Sequence, residues 1–88
     1  MQKTQVLKGF AIVIADRGWV YVGDAEHDGE WCVILNAKNI RKWGTTKGLG
    51  QLQENGPTAD TVLDPMGTVR IPARAVIGVL DTEASKWK

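Results

Sequence analysis

The sequence predicts a small, mainly β domain, and three observations carry that reading. Short runs rich in Val, Ile and Trp recur along the chain, the residue types that fit a pleated, half-buried surface. Turn chemistry separates them at Asp16-Arg17-Gly18, Asp28-Gly29 and Asp64-Pro65-Met66-Gly67. One stretch alone, around Leu49 and Leu52, has a helical spacing of apolar residues.

The first predicted strand is Phe10-Ala11-Ile12-Val13-Ile14-Ala15, closed by Asp16-Arg17-Gly18, where Gly supplies a positive φ. Trp19 to Ala25 forms the second strand, and the polar stretch Glu26-His27-Asp28-Gly29-Glu30 reads as the next loop. The third strand starts at Trp31, reaches about Ala37 and has the pattern to run on through Asn39-Ile40-Arg41. From Trp43 the chain becomes Gly-rich. Thr45 or Thr46 is placed to cap a short helix that buries Leu49 and Leu52, and Gly56-Pro57 ends it. Gly48 and Gly50 each cost roughly 1 kcal/mol of intrinsic helix stability, so packing or a ligand has to hold this element. Thr61-Val62-Leu63, the turn at 64–67, Thr68-Val69-Arg70-Ile71, a break at Pro72-Ala73-Arg74 and Ala75 to Leu80 complete the strands. A last pair of strands joined through a one-turn break is typical of five- to six-stranded antiparallel barrels or bent sheets of the SH3 or Sm type. That likeness is architectural and carries no function.

With 88 residues the chain is read as one domain over 1–88, with a core from about 8 to 81 and a polar tail at 82–88. No apolar run approaches the ~20 residues that span a bilayer, and Met1-Gln2-Lys3-Thr4-Gln5 does not read as a signal peptide, so a cytoplasmic chain without membrane contact is expected. A single cysteine, Cys32, allows no internal disulfide and fits a reducing compartment. Within Trp31-Cys32-Val33-Ile34-Leu35 it reads as a small buried hydrophobe rather than a nucleophile. The first and last strands are apolar on both faces: Phe10, Ile12 and Ile14 on one side of the first, Ala11, Val13 and Ala15 on the other. Either the helix covers the second face or another copy of the chain does. With four tryptophans on so small a body, a homo-oligomer is the expectation.

The net charge of +1 argues against a nucleic-acid coat, but the charge is segregated. Residues 16–30 hold Asp16, Asp24, Glu26, Asp28 and Glu30 against Arg17, while residues 31–53 hold Lys38, Arg41, Lys42 and Lys47 with no acid. Two solvated faces explain this pattern, and so does a basic segment that meets an anion. His27, the only histidine, sits among carboxylates without the spacing of a metal site and reads as a solvated loop residue. Asp24, Asp64 and Asp81 fall near strand ends with no sign of acid–base pairing. No nucleophile elbow, dinucleotide fingerprint or phosphate loop is present, since Gly44-Thr45-Thr46-Lys47-Gly48 lacks the Gly-Lys-Ser/Thr order. The chain is therefore read as a binding protein and not an enzyme, with no cofactor and no metal.

The informative segment is Arg41 to Gly48. It combines Arg41, Lys42 and Lys47 with the Trp43 ring, the hydroxyls of Thr45 and Thr46, and glycines that leave amides accessible. Such a set suits a small phosphorylated ligand, with Arg41 forking onto a phosphate and Trp43 stacking on a base. The candidate ligand-binding residues are Arg41, Trp43, Gly44, Thr45, Thr46 and Lys47, with Arg70 completing the site from elsewhere in the chain or from a neighbouring copy. The same segment also reads as a Gly-rich turn around a core Trp.

The run from Asn39 to Gly50, together with Gly56-Pro57, Thr61-Val62-Leu63-Asp64 and Val69-Arg70-Ile71-Pro72, resembles a group of small phage and prophage proteins with no assigned activity. The resemblance covers about the last two thirds of the chain and transfers no functional residue. It implies a viral or prophage origin. By analogy with compact phage proteins, it also implies capture of a nucleotide signal of host antiviral defence, or binding and blocking of a host protein. An Sm-like RNA-binding ring is a further alternative, weakened by the near-neutral charge.

Overall fold

A computed structural model describes residues 7–87. Six antiparallel strands, one α-helix and three 3-10 turns follow the expected order: β1 (Leu7–Ala15), β2 (Val20–His27), β3 (Trp31–Lys42), α1 (Leu49–Asn55), β4 (Val62–Pro65), β5 (Val69–Pro72) and β6 (Val76–Asp81). The 3-10 turns are Asp16–Gly18, Ala73–Ala75 and Ala84–Trp87. The sheet order is β4-β3-β2-β1-β6, and β5 also pairs with β3. Because β5 and β6 stay at opposite ends of the hydrogen-bonded order, the strands form a strongly bent sheet without a closed ladder. No helix among the described residues is long and apolar enough to cross a membrane.

The bend lies in β3. Its first half, Trp31–Ile34, pairs with β5, and its second half, from Lys38 to Lys42, pairs with β4 along the same edge. Between them Asn36 takes a φ of 52°, and the pairing with β2 jumps from Asp24↔Leu35 to Val22↔Lys38. Ala37 ties the β4–β5 turn into this point: its N–H donates to the Gly67 carbonyl at 3.1 Å, and its carbonyl accepts from the Met66 N–H at 2.8 Å. The extra residue also changes which parity faces inward, since Cys32 and Ile34 are inner residues before the bend and Ala37 is one after it. Gly23 of β2 faces the bend. A methyl added there would lie 2.8 Å from Ile34 Cγ2 and 2.9 Å from the Leu35 carbonyl oxygen.

Two cores result. The inner one holds Ala11, Val13, Ala25, Cys32, Ile34 and Ile71, among others. The second, on the opposite face of β1, holds Ile12, Val20, Val22, Ile40, Leu52 and Trp87, with Phe10 and Leu80 packed against it. The two-faced apolar pattern of β1 is thus absorbed within one chain by α1 and the last 3-10 turn. Trp87 corrects the expectation that the core ends near residue 81: it is buried, stands 6.4 Å from the Phe10 ring, and its indole N–H donates to Thr82 Oγ1 at 3.1 Å. The same C-terminal segment caps α1, because Thr82 Oγ1 donates to the Gln53 carbonyl at 2.7 Å and Lys86 Nζ donates to the Glu54 carbonyl at 2.6 Å.

Gly23→Ala is expected to destabilise the chain by about 1–3 kcal/mol, as overpacking of a tight site does. Each kcal/mol should appear in a thermal melt as a drop of about 4–8 °C. Gly50→Ala is the matched control: the added methyl meets nothing within 4 Å in α1, so the melting temperature should rise, by up to about 1 kcal/mol of stability.

Candidate functional site

The second half of β3 carries Arg41 to the exposed end of the sheet, and β4 brings Asp64 to it by pairing Asp64 with Asn39. Arg41 Nε donates to Asp64 Oδ2 at 2.7 Å, and Nη2 reaches Oδ1 at 3.4 Å. Both partners are exposed, so the pair is screened by solvent, and Asp64 raises the pKa of the Arg41 guanidinium above its ordinary value through that hydrogen bond and its charge. The Arg41 fork expected to meet a phosphate is therefore engaged by a carboxylate of the chain itself.

Trp43 follows at the end of β3 and is 42% exposed, with Cζ3 of its ring about 4 Å from where a methyl on Gly48 would sit. It is a surface ring and not the core Trp of the alternative reading. Its backbone is strapped down by the Thr58–Thr61 loop: Thr61 Oγ1 donates to the Trp43 carbonyl and Thr58 Oγ1 to the Gly44 carbonyl, both at 2.7 Å. Gly44 has a φ of 63°, and a side chain there would overlap the Asp60–Thr61 peptide, so this glycine serves packing of the strap.

The amides of the loop are not free. Gln51 Oε1 accepts from the Thr46 N–H at 3.1 Å, the Lys47 N–H at 3.0 Å and the Thr46 hydroxyl at 3.3 Å, while Thr45 Oγ1 accepts from the Gly48 N–H at 3.0 Å. The helix begins at Leu49 with Gly48 as its cap residue, so Thr45 closes the preceding turn in place of capping the helix itself. The chain's own side-chain oxygens occupy the donors that a sequence reading leaves open to an anion. Thr45, Thr46 and Lys47 thus share one hydrogen-bonded loop. Arg70 does not join it. It faces Val33 across β5, eight residues along β3 from Arg41, a strand path of roughly 26 Å.

A second constellation shares the Arg41 face. Tyr21, Asn39 and Asp64 lie opposite one another on β2, β3 and β4, and the Arg41–Asp64 hydrogen bond and the Trp19–Tyr21 ring contact add Arg41 and Trp19 to the group. Trp19 is 54% exposed, its ring stacked on Tyr21 with centroids 6.4 Å apart and planes 8° from parallel. Residue-level patterns missed this grouping because Asp64 reads locally as a turn residue and Trp19 as the start of a strand. The Thr58…Thr61 spacing was the one local signal of the strap.

His27 is a correction as well. It is the last residue of β2, not a loop residue, and its Nε2 is buried without a hydrogen-bond partner among the described residues. Cys32 is fully buried, and burial pushes its thiol pKa up, away from a reactive thiolate. Among the described residues no three His, Cys, Asp or Glu side chains group to hold a metal ion. No protein-family model, curated protein or solved structure matches the chain.

Gln51→Ala should cost about 1 kcal/mol, the usual effect of removing a cap that satisfies orphan amides. Gln51→Glu, which keeps the accepting oxygen, should retain most of that stability in the same melting experiment.

Proposed function

We propose that the chain is a non-enzymatic protein-binding module that engages a partner through the face formed by Trp19, Tyr21, Arg41 and Asp64. The observation that carries the reading is the Trp19–Tyr21 stack, an aromatic surface more than half exposed at Trp19 and packed ring against ring. Trp, Tyr and Arg dominate the energetics of protein interfaces, and a pre-ordered ring loses little side-chain entropy on binding. Trp43, 42% exposed, adds a further ring two residues beyond Arg41. On the resemblance to small phage proteins, that partner is a host factor and the site of action the host cytoplasm.

Capture of a small phosphorylated or nucleotide ligand is the second reading, favoured by the exposed Trp43 ring beside a loop that carries Lys47. Such a ligand has to displace Gln51 from the loop amides and compete with Asp64 for Arg41. Self-association would draw on the same kind of surface, with Ile77 on β6 its most exposed apolar residue.

The test is affinity capture from host cells with the wild-type chain and Trp19→Ala, followed by titration of the purified pair. Truncating an interface anchor costs at least about 2 kcal/mol, so Kd should rise by about 30-fold, with the melting temperature of the exposed-site variant nearly unchanged. Capture that ignores Trp19→Ala would remove this face from the proposal. A native mass spectrum of the wild-type chain with a retained phosphorylated small molecule would shift the assignment to the second reading. One with multiple copies and no foreign partner would shift it to self-association.

A further inference from the structure

We propose that the open end of the inner core is a binding cup for a small organic cation, an ammonium carried on a short aromatic stem. The cup lies at the far end of β2 from Trp19 and does not depend on the protein-binding reading. Register builds it. Gly9 pairs with Ala25 and Ala11 with Asp81, while His27 pairs with Cys32, so Gly9 and the side chains of the others, together with Val79, share the inner face of four strands. Among the described side chains, two alanines and a glycine stand where larger ones would fill the space, and a cavity of about 260 Å³ remains. An apolar cavity of about 150 Å³ already takes a benzene-sized molecule. The space at this end therefore suits a ring with a short arm, and it falls just under the ~300 Å³ at which pockets for drug-sized ligands begin.

The polar groups select the charge. Ala11, Ala25, Val79 and the neutral Cys32 thiol form an apolar wall, and among the described residues only His27 and Asp81 add ionisable groups to the lining besides that thiol. His27 Nε2 is buried and has no hydrogen-bond partner among the described residues. A buried polar atom left in that state is unfavourable, so a donor from a ligand is favoured there when the imidazole carries its proton on Nδ1. The Asp81 carboxylate lies at the rim. Among the described residues no lysine or arginine lines the cavity, and no cation is paired with Asp81. Both groups favour an ammonium, His27 as an acceptor for an N–H and Asp81 as a counter-charge, while the stem replaces water along the alanine wall.

The test is a titration of the full chain, followed by amide chemical shifts, with 2-phenylethylammonium against its neutral isostere 2-phenylethanol. The ammonium should bind saturably at millimolar concentration and shift the amides of Ala11, Ala25, Cys32 and Val79, with the alcohol at least tenfold weaker. Asp81→Asn should weaken the ammonium about tenfold and leave the alcohol unchanged; because Asp81 is exposed, this variant should fold as the wild type does. Equal binding of the two probes, an ammonium that ignores Asp81→Asn, or shifts confined to other parts of the sheet would each overturn the proposal. An acetylated, amidated lysine should bind at least tenfold more weakly than 2-phenylethylammonium. Equal or tighter binding would reassign the cup to the lysine of a protein partner and overturn the small-molecule reading.

Discussion

The structure depends on the bend in β3. One twelve-residue strand has to pair with β2 on one edge and with both β4 and β5 on the other. β4 and β5 follow one another along that edge, β4 against the second half of β3 and β5 against the first, and the turn that joins them meets β3 at Ala37. The left-handed Asn36, the jump in pairing and the missing Cβ at Gly23 let the strand turn at Ala37, whose backbone then secures the β4–β5 turn. Because the side-chain period of a strand is two, the extra residue also reassigns faces. Cys32 and Ile34 close the inner core, whereas Ile40 is delivered to the second core, and Arg41 is left beside Asp64 at the surface.

The second core follows from that geometry. Past the bend, β3 and the start of β2 present Ile40, Val20 and Val22 on a face that the inner core cannot use. A seven-residue helix covers it, too short to persist alone. The turn that leads into it is held by Gln51 and Thr45, its last carbonyls by Thr82 and Lys86, and its underside by Leu52 and Trp87. Helix and C-terminal turn therefore stabilise each other, and neither is an accessory to the sheet.

The two ends of β2 differ in character for local reasons. At its start, Trp19 stacks on Tyr21 and remains at the surface, where Arg41 and Asp64 neutralise each other. At its end, small residues and His27 line a cavity in the inner core. The hairpin beyond is fixed by Asp28, whose Oδ1 accepts from the amides of Glu30 and Trp31, both at 2.9 Å. These backbone hydrogen bonds, that from Trp31 first, hold the Asp28 carboxyl below its ordinary pKa. A depressed carboxylate pKa means that this contribution to stability is present above the ordinary carboxylate range and is lost as pH falls through the lowered value.

Much of the fold was legible in the sequence because it rests on short-range chemistry. Alternation and β-branched runs marked the six strands, Asp64-Pro65-Met66-Gly67 and Pro72-Ala73-Arg74 marked the breaks, and the Leu49–Leu52 spacing marked the helix. The candidate site was legible only as a list of residue types. Whether the amides at 46–48 are open depends on where Gln51 folds back, and whether Arg41 is free depends on a residue 23 positions away. Trp87 gave no pattern, being one ring in a polar tail, and is buried only because Phe10 and α1 meet over it. Composition and period by themselves determined the elements and their order. Tertiary structure alone decided the parity change in β3 and the partners of each polar group, because both arise from contacts between segments that no local pattern encodes.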